Sequence, residues 1–172
     1  WVGAIERISQ AGINDIKVIH RGFSSFEKST YRNTPKWEIP IELMRIFPEI
    51  PIICDPSHIG GNKNMIKAIS QKALDLEMDG LMIESHVNPD DAWSDAEQQI
   101  TPKKLQQILS SLVVRQPEVN NTELKNKLTI LRKKIDGLDE EIINLLSTRM
   151  NIVEEIGNHK KENDITILQA ER

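Results

Sequence analysis

The sequence is poor in cysteine, with one residue in 172, and poor in aromatics, which make up 4%. A single cysteine excludes an internal disulfide and the small stapled folds of secreted proteins, so a cytoplasmic setting is expected. No apolar run approaches the ~20 residues that cross a bilayer, and no secretory leader pattern is visible, so no membrane partner is expected. Cationic excess is lacking too. Lys and Arg number 22 against 26 Asp and Glu, and the net charge of −4 removes bulk electrostatic support for a nucleic-acid partner. An initiator Met is also missing: the chain opens in helical rhythm with WVGAIERI and reads as a fragment of something longer. What remains is 38% hydrophobic and 28% charged, a globular composition for one ordinary domain or two small ones.

Two periods divide the chain. Residues 1–114 alternate short β-branched runs with helical patterns. A helix tail over 1–12 is stopped by Gly12, and strands are expected at 16–20, 50–54 and 80–84. Helices are expected at 39–47, 62–78 and 101–114, the last opened by Thr101 as cap and Pro102 at the first helical position. Strands alternating with helices imply parallel βα units. Three strands are few for a parallel sheet, and a closed (β/α)8 barrel takes about 250 residues. The α/β half is therefore expected to be the C-terminal βα units of a TIM barrel; a small open α/β domain is the alternative. Residues 115–122 are polar and read as a linker. From 123 to 172 the period changes. Leu124, Leu128, Leu131, Ile135, Leu138, Ile142 and Leu145 form one apolar stripe on a long helix, continued by Ile152 and Ile156 until KENDIT. That stripe needs a partner, either a second copy in a homodimer or helices beyond Arg172.

The stretch CDPSHIGG (54–61) raises a metal question. Cys54 and His58 lie four residues apart, ~13 Å along a strand, too far for ligands that must converge to ~2–2.3 Å of one ion. Cys54 reads as a small buried strand residue. His58 falls just past the strand's C-terminal end, where parallel barrels place their chemistry. Glu84 ends the next strand, and Asp95 sits in the long loop after it. This mixed N/O set suits a divalent metal, Mn, Fe, Co or Zn; a solvated rim with coincidental polar groups is the alternative. Arg21 in IHRGF and Arg32 in STYRNT suit phosphate or carboxylate groups, although a surface ion pair explains either one alone. The run IGGNKN before a helix is a weak phosphate-cradle signal.

Together, IHRGFSSFEKSTYRNT, CDPSHIGG, DGLMIESHVNPDDAWSD and EQQIT resemble the C-terminal half of class I, β-subtype 3-deoxy-D-arabino-heptulosonate 7-phosphate (DAHP) synthases. The resemblance implies a (β/α)8 barrel that condenses phosphoenolpyruvate with erythrose 4-phosphate using a divalent metal. It implies His58, Glu84 and Asp95 as metal ligands and Arg21 as a phosphoenolpyruvate-binding arginine; Arg32 is assigned to a phosphate. The family's ligand cysteine lies on an early strand that this chain lacks, and Cys54 is not that residue. Also lacking are its Lys after the fifth strand and its Lys-Pro-Arg-Thr segment. The 172 residues alone are expected to be inactive as a synthase.

The apolar stripe carries misplaced charges. Arg149 takes a stripe position, and Lys160, eleven residues on, returns to within ~20° of the same face. Cations on an apolar face are expensive unless paired with anions. Arg132 points ~100° away, toward any pocket formed by a partner helix. The spacing of Arg132, Arg149 and Lys160 resembles the all-α chorismate mutases, whose long first helix packs in an intertwined dimer with shared pockets. By that resemblance Arg149 and Arg132 bind the carboxylates of chorismate, Lys160 its ether oxygen, and Arg172 is a further pocket arginine. Gln169 stands where some members carry Asp. The expected whole is a bifunctional enzyme of aromatic amino-acid biosynthesis, converting chorismate to prephenate in its second part. The alternatives are a helical module that senses chorismate or prephenate without converting it, and a coiled coil that only dimerises the barrel.

Overall fold

A computed structural model of the protein describes residues 1–26, 28–115 and 121–166. The chain divides into two compact units, Trp1–Pro117 and Glu118–Arg172. The first contains α1 (Val2–Gln10), β1 (Val18–His20), α2 (Glu38–Ile46), β2 (Ile52–Cys54), α3 (Pro56–Gly60), α4 (Ile66–Asp75), β3 (Gly80–Leu81) and α5 (Pro102–Ser111). The expected alternation of strand and helix is present. The strands form one parallel sheet in the order β1-β2-β3, pairing His20 with Cys54 and Cys54 with Leu81.

Each strand is shorter than its apolar run. Pro51 offers only its carbonyl, which accepts from Val18 N, so the β1–β2 ladder begins there. Past Cys54 the chain turns into α3, and the last bond along that edge runs from Met82 N to the Cys54 carbonyl. Ile83 and Glu84 are thereby released from the sheet. Helix α4 starts later than its pattern because Asn62 forms a turn, accepting from Asn64 N at its side chain and from Met65 N at its carbonyl. It stops early where Glu77 adopts a left-handed φ of 60°.

One core joins Ile5, Val18, Leu43, Ile52, Cys54, Ile59, Ile69, Ala73 and Met78. A second, smaller cluster joins Ile66, Ile100 and Ile108. Burial and the neighbouring Asp55 charge push the Cys54 thiol up to about 12, so it behaves as an inert apolar residue. His20 is fully buried beside the rings of Trp1, Phe23 and Trp37. Among the described residues neither of its ring nitrogens has a hydrogen-bond partner.

The second unit consists, among its described residues, of α6 (Thr122–Glu162), 41 residues and on the order of 60 Å long. Asn121 caps it, its Oδ1 accepting from Glu123 N and Leu124 N. Glu123 in the first turn and His159, Lys160 and Lys161 in the last oppose the helix dipole. No described residue of α6 is buried. The stripe from Leu124 to Ile156 faces solvent, except Leu128, which is half-buried.

Burial lowers the His20 pKa from 6.5 to about 4. A depressed folded-state value means that stability is complete above 6.5 and is lost as pH falls toward about 4, because the unfolded chain takes up the proton first. In His20→Leu the unfolding midpoint in urea should therefore fall less between those two pH values than in the parent. Equal slopes for the two proteins would show that His20 does not resist protonation.

Candidate metal and anion site

The site is built around α3. Asp55 is fully buried and caps this five-residue helix, its Oδ1 accepting from His58 N at 3.1 Å. Pro56 occupies the first turn, where the missing N–H costs nothing. The other Asp55 oxygen lies 2.7 Å from His58 Nδ1. This pairing places the ring proton on Nδ1, so the Nε2 lone pair points outward, 3.7 Å from Glu84 Oε1. Ser57, also buried, accepts from Glu84 N at 3.0 Å and holds the released end of β3 against α3.

A loop following β1 closes on itself through paired backbone bonds between Phe23 and Thr34. Asn33 anchors it to α3, donating from Nδ2 to the His58 carbonyl and from its backbone to the Ile59 carbonyl. Two glycines make this seat possible. A Cβ on Gly22 would lie 2.6 Å from the Asn33 carbonyl oxygen, and one on Gly61 2.6 Å from Arg32 Cβ; both have positive φ. Arg32 is thereby carried to the loop after β3, where its Nη1 donates to Asp95 Oδ1 at 2.6 Å and to Gln98 Oε1 at 2.8 Å. Arg32, and to a lesser degree Arg21, holds the Asp95 carboxyl below the usual carboxylate range. Asp95 itself has a left-handed φ of 51°, sparsely populated for a residue with a side chain.

His58, Glu84 and Asp95 each present one ligand atom, all within 4.8 Å of one another. Their side chains keep 13%, 32% and 30% exposure, so a solvated ion can reach them. One imidazole nitrogen freed by its partner and two carboxylates fit a divalent cation. A cavity of about 670 Å³ opens beside them, bordered by Arg32, Gly61, Asn62 and Asp95. Arg21 is exposed at the end of β1, its charge adding to the pull on Asp95. Asp55 and Gln98 were not legible as site residues, although Asp followed by Pro is a helix-start pattern that could have pointed to the first.

On α6 the candidate residues do not converge within one chain. Arg132 and Arg149 are exposed and 17 positions apart, on the order of 25 Å along the helix. Lys160 is half-buried near the C-terminal end. Arg172 and Gln169 lie outside the described residues, as do residues 116–120 of the expected linker.

Residues 1–120 match the family model of the DAHP synthetase I family, and residues 131–172 match that of chorismate mutase type II. A phospho-2-dehydro-3-deoxyheptonate aldolase of Thermotoga maritima is 33% identical over 95 residues, which are 55% of this chain and 28% of that protein. A 2-dehydro-3-deoxyphosphooctonate aldolase of Francisella tularensis is 27% identical over 119 residues, covering 63% of this chain and 42% of that protein. Among solved structures, a truncated DAHP synthase from Thermotoga maritima superposes with a TM-score of 0.53 at 30% identity, over 61% of this chain and 39% of that one. The chain thus spans less than half the length of these relatives. With most of its length matched, the chain belongs to the DAHP synthetase I family and continues into a segment that matches chorismate mutase type II.

Proposed function

We propose that the intact protein is a cytoplasmic, bifunctional enzyme of the shikimate pathway. Its first part completes a (β/α)8 barrel and condenses phosphoenolpyruvate with erythrose 4-phosphate. Its second rearranges chorismate to prephenate. The observation that carries the first activity is the approach of His58 Nε2, Glu84 and Asp95 at the C-terminal ends of β2 and β3. There the three side chains would hold a divalent cation, which when bound supplies Lewis acidity toward the aldehyde of erythrose 4-phosphate. Asp55 keeps the His58 ring in the ligating tautomer. Arg21 binds phosphoenolpyruvate through charge-assisted bonds. Arg32 spends two of its five donors on Asp95 and Gln98, leaving others for a phosphate at the cavity wall. In the reaction the C3 carbon of phosphoenolpyruvate bonds to the aldehyde carbon, water adds at C2, and the C2–O bond to phosphate breaks. The arginines hold the reactants and offset the anionic charge of the departing phosphate.

For the second activity we read α6 as half of a homodimer. Its exposed stripe covers the same stripe of a second copy, and each pocket combines Arg149, Lys160 and Arg172 of one chain with Arg132 of the other. The rearrangement needs no proton transfer, so positioning and charge complementarity supply the catalysis. Conversion of chorismate distinguishes this reading from a sensor module, which binds without turnover.

Chelation of the intact protein should abolish condensation, with Mn, Fe, Co or Zn restoring it. Restoration should fail in His58→Ala, and full activity of that variant after chelation would remove the metal reading. For the mutase, Arg132→Ala and Arg149→Ala should each abolish turnover through loss of a charge-assisted contact of roughly 1.5–3 kcal/mol or more. Mixing the two inactive proteins should restore up to half of the parental activity, because one heterodimer pocket is then free of both lesions. Heterodimers that form yet stay inactive would show that pockets are not shared.

A further inference from the structure

Gln98 is fully buried, yet it belongs to the polar loop that carries Asp95. Both ends of its amide are committed. Oε1 accepts from Arg32 Nη1 at 2.8 Å, and Nε2 donates to Glu84 Oε2 at 2.8 Å. Its partners determine this orientation. A guanidinium only donates and a carboxylate only accepts, so a flipped amide would set donor against donor and acceptor against acceptor. Its backbone N–H meanwhile donates to the Asp95 carbonyl at 3.0 Å, closing the turn in which Asp95 has its left-handed φ.

We propose that Gln98 is a positioning residue for the bound cation. By holding Glu84 Oε2 it leaves Oε1, the oxygen nearer His58 Nε2, as the ligating atom. By accepting from Arg32 it ties the Glu84 rotamer to the arginine that also holds Asp95. Two carboxylates 11 positions apart in the loop after β3, which would otherwise repel one another and rotate apart, are thus set in place before an ion arrives. A packing role alone accounts for the burial of Gln98 but not for an amide whose two ends are each matched to a charged group. The inference rests on the reading of His58, Glu84 and Asp95 as cation ligands.

The test is Co²⁺ binding to the full-length protein, followed by its visible ligand-field absorption and by competition with a chelator. Parent binding that disappears in His58→Ala establishes the ligand set. Gln98→Met keeps side-chain volume and removes both hydrogen bonds. Gln98→Glu keeps the acceptor for Arg32 but sets a carboxylate against Glu84. Both should weaken Co²⁺ by 10–100-fold, the usual effect of losing an outer-shell partner. Gln98→Met should also shift the absorption bands, which a space-filling role would not do. Protection of Cys54 from alkylation verifies that each variant is folded, and if Gln98→Met fails that check, Gln98→Glu decides. Parental affinity and spectrum in the folded variants, with binding still lost in His58→Ala, would overturn the role of Gln98 alone. Absence of Co²⁺ binding by the parent would overturn the ligand reading and this inference together.

Discussion

A buried carboxylate organises the first unit. Asp55 has no water to solvate it, and a charge or polar group in that position is costly unless both oxygens are matched. One oxygen takes the backbone of His58 and the other its ring, so a single side chain both starts α3 and orients the imidazole. The loops after β1 and β3 are tied to α3. Asn33 bonds to the His58 and Ile59 carbonyls, Ser57 receives Glu84 N, and Gly61 passes against Arg32. Removing Asp55 would therefore loosen α3 and both loops tied to it together.

The electrostatics of the site follow from that convergence. Glu84 and Asp95 bring two negative groups beside one imidazole, an arrangement that repels itself without a cation. Arg32 offsets part of this charge through Asp95, and Gln98 passes its influence to Glu84 without adding charge. The strained φ of Asp95 is held by the same turn. Local strain and like-charge proximity are thus maintained by packing that begins far away in the chain, a combination that clusters at functional sites.

Among its described residues the second unit buries nothing of its own. Each Leu or Ile of the α6 stripe would contribute about 1.5–3 kcal/mol if covered, and no described residue of that helix is buried. Caps and end charges stabilise the helix by roughly 1 kcal/mol each, too little to replace that burial. By the reading above, stability and chemistry in this unit depend on a partner for the stripe, whereas the first unit has two hydrophobic clusters of its own.

By itself the sequence determined what repeats locally. Alternating β-branched runs and amphipathic segments marked the parallel sheet, and the 4-3 spacing marked α6, because side-chain direction in strands and helices follows a short period. The candidate ligands His58, Glu84 and Asp95 were legible from their position past strand ends. Helix α3 was not, since five residues with Pro and paired glycines carry no period to read. Nor were the strand ends, which depend on where a neighbour stops donating. The tertiary structure alone decided that Arg32 meets Asp95, 63 positions away, and that Gln98 meets Glu84 across 14. The first meeting comes from parallel strands connected by crossovers, which return distant loops to one end of the sheet; the second lies within the long loop after β3. A loop glutamine has no periodicity to announce its place, and only its buried surroundings decide which charges its amide joins.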